Sequence, residues 1–126
     1  MSPRKRSVRG VKEECTRLHS RIVRATKGPM CQDGCGRPAT DAAHIIPRVF
    51  SWTRTDCDNA FALAAECHRR YTNHVDEWLA FVYSTIGEDE YARLKRKALD
   101  GVNVKFDWFS ELERLRGLWA QIEEAA

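Results

Sequence analysis

The sequence predicts an α+β fold: a two-stranded hairpin with a helix across it, flanked by longer α-helices at both ends. Three observations lead to this. Apolar residues recur at helical spacing near both termini, while Thr40–Pro47 and Ala60–Leu63 read as short strands in the middle. Residues 30–40 are rich in Gly, Cys and Pro and offer few side chains to bury, so that stretch needs something other than packing to hold its shape.

Taken in order, residues 1–9 read as a mobile basic arm. From there Val11, Cys15, Leu18, Ile22 and Ala25 line one face of an amphipathic helix, which Gly28-Pro29 stops. Ser51–Asp58 reads as a loop between the two strands, and a helix is expected from near Glu66, carrying Cys67 and His68 in its first turns. Trp78, Leu79, Val82 and Ile86 form a stripe ended by Gly87; Tyr91, Leu94 and Ala98 form a second, ended near Asp100-Gly101. Asp107 suits an N-cap for a last helix, whose stripe is Trp108, Leu112, Leu115, Trp119 and Ile122. Such stripes are read as core. The expected organisation is a basic arm and helix over 1–27, a central unit over 28–74, and a helical extension over 75–126 within the same compact domain.

Composition narrows the function. Hydrophobic residues make up 43% of the 126, enough for a modest core and too many for a disordered chain. The longest apolar runs, Ala60–Ala65 and Trp78–Tyr83, are too short to span a bilayer, so no membrane partner is expected. The basic, polar N-terminus has no apolar signal region, which gives a cytoplasmic expectation. In that reducing setting the five cysteines read as metal ligands or buried thiols before disulfides. The net charge of +3 is lopsided: residues 1–27 hold nine Lys/Arg against Glu13 and Glu14, and the remainder is net acidic. A basic arm on a slightly acidic body suits nucleic acid, although a solvated, solubilising tail would look the same.

Three polar residues in the middle, His44, Asn59 and His68, have no evident part in packing. They sit in Asp41-Ala-Ala-His44-Ile-Ile-Pro-Arg48, in Asp56-Cys57-Asp58-Asn59-Ala60 and in Glu66-Cys67-His68-Arg69, fifteen and nine residues apart. This pattern resembles the HNH, or ββα-metal, endonuclease superfamily over residues 31–74. Asp41-Ala-x-His44, with the helical C-terminal half and its Ile86-Gly87-Glu88 step, also resembles the phage NinG (Rap-like) recombination endonucleases.

The resemblance implies a metal-dependent DNA endonuclease with a catalytic Mg²⁺ or Mn²⁺. It implies His44 as the general base, His68 as a metal ligand, and Asn59 as the residue whose amide holds the loop behind His44. Many family members place a metal-ligating Asp or His directly before the base, where this chain has Ala43. Strand alternation puts residues 41 and 43 on one face, so Asp41 is the expected replacement, a turn or N-cap role being the alternative. Cys31-x3-Cys35 resembles a zinc knuckle, and with Cys57 and Cys67 would give four thiolates for a structural Zn²⁺; buried reduced thiols are the alternative. His74 stays open, since six residues along a helix do not return it to the face of His68.

Arg48, Arg54, Arg69 and Arg70 flank the motif, and Arg4, Lys5, Arg6, Arg17 and Arg21 lie on the arm and first helix. All are candidate phosphate contacts, and DNA is the expected partner, with a homodimer left open. Two other readings remain. One is a different phage or mobile-element HNH nuclease, for packaging or defence; the other is a zinc-stabilised DNA-binding module without catalysis.

Overall fold

The computed structural model describes residues 6–126. Arg4 and Lys5 lie outside the described residues. Helix α1 spans Val8–Lys27, so it begins inside the stretch expected to be a mobile arm. The Ser7 hydroxyl caps it, accepting from the Gly10 N–H at 3.1 Å, and Arg6 pairs with Glu14 at 2.8 Å.

After a knuckle-like turn come β1, Asp41–His44, and β2, Ala60–Leu63, paired antiparallel with Asp41 opposite Leu63 and His44 opposite Ala60. Strand β1 is shorter than Thr40–Pro47, because beyond Ile45 the backbone turns away towards Pro47 and can no longer pair. The segment expected as a plain loop contains one helical turn, α2 at Ser51–Arg54, and a 3-10 turn at Cys57–Asn59. Helix α3, Ala65–Asn73, then crosses the hairpin, followed by α4, Val75–Ile86, α5, Glu88–Asp100, and α6, Trp108–Ala125. Asp107 caps α6 as its sequence suggested, its carboxylate accepting from the Ser110 N–H at 3.1 Å. No helix among the described residues is long and apolar enough to cross a membrane.

The hairpin is the middle layer. All four residues of β2 are buried, which is why its sequence is a continuous apolar run and not an alternation. Ala60 and Ala62 face α1 and pack with Val23 and Ala42. Phe61 and Leu63 face the other way, into a core with Ala43, Ile45, Ile46, Val82, Leu94 and Ala98. A separate cluster joins the two terminal helices, Val11, Cys15 and Ile22 of α1 meeting Trp108, Leu112 and Leu115 of α6.

One close approach locks α5 to the loop. A Cβ built at Gly101 would stand 2.2 Å from the Trp52 ring of α2. Gly101→Ala should therefore lower stability by about 1–3 kcal/mol in urea unfolding, as overpacking does. An unchanged midpoint would show that α2 is free to shift away from α5.

Candidate functional site

Asp41 and His44 lie three residues apart on β1, so the pleat sends their side chains to opposite faces of the hairpin. Asp41 reaches α3, where its Oδ2 lies 2.9 Å from Nδ1 of His68. His44 reaches towards α1 and the 51–58 loop. Its Nε2 lies 2.8 Å from the carbonyl oxygen of Arg54. A carbonyl only accepts, so this contact assigns the proton to Nε2 and leaves the Nδ1 lone pair open. Burial lowers the His44 pKa from its ordinary value. The hydrogen bond to the Arg54 carbonyl pulls it up by less than burial lowers it, and Arg48, Arg54 and His68 each add a smaller lowering.

The loop that delivers Arg54 is fixed from within. Asn59 is fully buried at the start of β2. Its Oδ1 accepts from the Ile46 N–H at 2.7 Å, and its Nδ2 donates to the carbonyls of Ile46 at 3.0 Å and Thr53 at 2.9 Å. One carboxamide thus ties both ends of the 46–53 connection to the hairpin.

Asp41 and His68 are both partly exposed, and with Ala65, Arg69, Thr72 and Asn73 they line a shallow surface concavity. The 2.9 Å contact is a hydrogen bond, and a carboxylate oxygen and an imidazole nitrogen are both donors that divalent ions take as ligands. Two protein donors suit an ion that keeps waters and binds phosphate. The donor set therefore fits the divalent ion that the resemblance implies. His74 is exposed at the end of α3 and does not line this concavity.

The cysteines gather, with one exception. Donor atoms of Cys31, Asp33, Cys35 and Cys67 all lie within 4.8 Å of one another. The Cys31 thiol donates to Asp33 Oδ1 at 3.0 Å, the Cys35 N–H reaches the same oxygen at 2.9 Å, and the Cys67 and Cys35 sulfurs are 3.5 Å apart. Burial pushes the Cys31 and Cys67 thiols up. Burial also pushes the Asp33 carboxyl up, but hydrogen bonds from Cys67, Cys31 and Cys35 outweigh it and hold the group at about 2. Three sulfurs and a carboxylate make a donor set that could hold zinc.

Cys57 is the exception, and corrects the expected four-thiolate set. It sits at the His44–Ala60 end of the hairpin, packed with the α1–α6 cluster, whereas Cys31 and Cys67 lie at the Asp41–Leu63 end. Closeness to Asn59 in sequence carried no information about which end of the hairpin the thiol would occupy. Asp33 takes the fourth place, a residue visible in Cys31-x-Asp33-x-Cys35 but not singled out from the sequence.

Residues 26–75 match the sequence model of the HNH endonuclease family. This stretch is an HNH segment. It contains the knuckle, both strands and α3, and it ends where α4 begins. No curated protein and no solved structure matches the chain.

The arginines divide around the HNH segment. Arg48 and Arg54 act on His44 through their charge, and Arg54 also donates to the Thr16 hydroxyl at 3.2 Å. Arg69 is exposed beside Asp41 and His68. Arg70 pairs with Glu77 at 2.9 Å. Arg17 and Arg21 line a concavity with Glu14, Leu18 and Arg116, where α1 meets α6, and Arg21 lies over the Trp119 ring at 5.1 Å.

Sequence reasoning also passed over His19, one residue on an apolar helix face and therefore without a distinguishing signal. It lies outside the HNH segment, fully buried, with its ring centroid 5.2 Å from that of His44. Its Nε2 is 3.1 Å from the Asp56 carbonyl, and its buried Nδ1 has no partner. Burial first, then the neighbouring His44, lowers its pKa to about 4.

A histidine held at about 4 when folded, but ordinary when unfolded, binds its proton only in the unfolded chain between those values. Its contribution is present above pH 6.5 and is lost as the pH falls from there towards 4. Carried through that whole window, the loss amounts to about 3 kcal/mol. Urea melts across this range should show it, and His19→Phe should flatten the acid slope. An unchanged slope in that variant would assign the acid sensitivity to other groups.

Proposed function

We propose that the protein is a metal-dependent DNA endonuclease that hydrolyses phosphodiester bonds, with His44 as the base and the Asp41–His68 pair as ligands of the ion. The observation that carries this is the state of His44: partly buried, held neutral, its Nε2 proton engaged by a backbone carbonyl and its Nδ1 lone pair open. That is what a general base for water needs near neutral pH. The HNH match supports the reaction class.

Asp41 and His68 would hold Mg²⁺ or Mn²⁺, which when bound supplies positive charge for the phosphate and the leaving oxygen. His44 takes a proton from water at Nδ1. The water oxygen forms a bond to phosphorus while the bond from phosphorus to the 3′ oxygen breaks, and the leaving 3′ oxygen takes a proton from solvent, giving 5′-phosphate and 3′-hydroxyl ends. Asn59 keeps the loop behind His44 in place and does not touch substrate. Arg48, Arg54 and Arg69 meet phosphates, and Arg17 and Arg21 extend the basic surface along α1. Cys31, Asp33, Cys35 and Cys67 hold a structural zinc that shapes the Gly-rich turn, where Gly34 and Gly36 both have positive φ.

Nicking of supercoiled plasmid is the direct test. Mg²⁺ or Mn²⁺ should support it and a chelator should stop it. His44→Ala should lower kcat about 10²-fold or more while DNA binding and zinc content survive. Asp41→Ala should lose activity through loss of the ion, and full activity in that variant would remove Asp41 from the ligand set. Because the His44 pKa is lowered from its ordinary value, the rate should stay level through neutrality and fall only below pH 6.5. Salt-dependent binding without cleavage under any of these conditions would favour a non-catalytic zinc-stabilised DNA-binding module, the reading suggested by Ala43. Branched substrates test the recombination reading, which rests on Asp41-Ala-Ala-His44: preference for four-way junctions over linear duplex supports it.

Elemental analysis tests the knuckle. We expect one tightly held zinc, lost with cooperative unfolding in Cys35→Ser and weakened in Asp33→Ala, but retained in Cys57→Ser. Zinc loss in Cys57→Ser alone would restore the four-thiolate set.

A further inference from the structure

We propose that His19 is a positioning residue for His44, setting its tautomer and ring orientation from the buried side. The inference rests on the reading of His44 as the base, and deepens it.

Two contacts carry the effect. The first is direct, since the rings lie 5.2 Å apart and tilted by 33°, so the fully buried His19 ring forms a fixed wall behind the His44 imidazole. The second runs through the loop. His19 Nε2 donates to the carbonyl of Asp56 at 3.1 Å, two residues beyond Arg54, whose carbonyl accepts from His44 Nε2 at 2.8 Å. Nearby carbonyls of one turn therefore receive the two imidazoles in parallel. Moving the Asp56 carbonyl would move that of Arg54, and with it the bond that keeps the His44 proton on Nε2.

A packing role alone does not call for histidine here. An apolar side chain would fill the space without leaving a buried Nδ1 unpartnered, which is a cost to folding. The other charged groups acting on the two rings, Arg48, Arg54 and His68 on His44 and Lys27 and Asp56 on His19, come from several elements. His19 is the one whose ring packs against His44 itself.

The test uses the full chain with its zinc, in which only four histidines must be assigned by ¹⁵N imidazole NMR. At neutral pH both His19 and His44 should appear as Nε2-protonated neutral rings. A His19 found protonated at Nδ1, or charged, overturns the proposal without any variant. His19→Phe keeps the ring but cannot donate; zinc content and a cooperative melt report its fold. In it His44 should become a tautomer mixture, and kcat for plasmid nicking should fall about 10- to 100-fold with KM unchanged, the size of effect typical of outer-shell partners. His19→Gln, which can still donate to the Asp56 carbonyl, should recover most of both losses. A single Nε2-protonated His44 and parental kcat in both variants overturn the proposal. A shifted tautomer with unchanged kcat upholds the positioning contact and overturns His44 as the base.

Discussion

The carboxamide of Asn59 is the constraint on which the site depends. The backbone of the connection between the two strands leaves the ladder after Ile45, and its ends must be held at the hairpin. Asn59 does this with one acceptor and two donor bonds, all buried. Losing the side chain would strand the Ile46 N–H and the Ile46 and Thr53 carbonyls in a water-poor interior, at about 1–3 kcal/mol for each group left unpaired. The Arg54 carbonyl that receives His44 is one residue beyond Thr53. A purely structural amide thus sets the position of a titratable ring it does not touch.

Helices packed around the hairpin hold the same loop from further sides. Lys27 of α1 donates to the carbonyls of Cys57 and Ala60, both at 2.6 Å. Lys97 of α5 reaches the Asp56 carboxylate at 2.6 Å. From α6, the buried Glu111 carboxylate accepts from the Thr55 hydroxyl and is paired with Arg114, whose guanidinium also donates to the Thr55 carbonyl at 3.2 Å. These charges have partners and hydrogen bonds, which is the condition under which burial of ions is tolerable. The terminal helices are therefore part of what fixes the loop, and not an appended layer.

Much of this was legible in sequence, for identifiable reasons. The stripes on α4, α5 and α6 follow from a 3.6-residue period that tertiary packing did not override. The opposite facing of Asp41 and His44 follows from the strand period, and the structure shows Asp41 on the face that meets His68. Other features rest on separations that no local pattern encodes. Ser51–Arg54 is too short and too polar to show a helical stripe. Cys57 looked like a fourth thiolate because it is near Asn59 along the chain, while the register of the hairpin puts it at the far end. His19 meets His44 across twenty-five positions of sequence, and an isolated histidine on an apolar face gives no sign of what lies opposite.

In the proposed reaction, the charges around His44 would serve binding and proton chemistry together. Burial disfavours protonating it, and so do the charges of Arg48 and Arg54. The same cations attract a phosphodiester, whose negative charge acts on His44 in the opposite sense and raises its pKa. A base with an ordinary pKa in the free protein would be driven towards protonation when substrate arrived. Starting from a lowered value, His44 has further to rise before it would protonate near neutral pH. The arginines beside the ring are in this sense compatible with a base because the group they meet there is an anion.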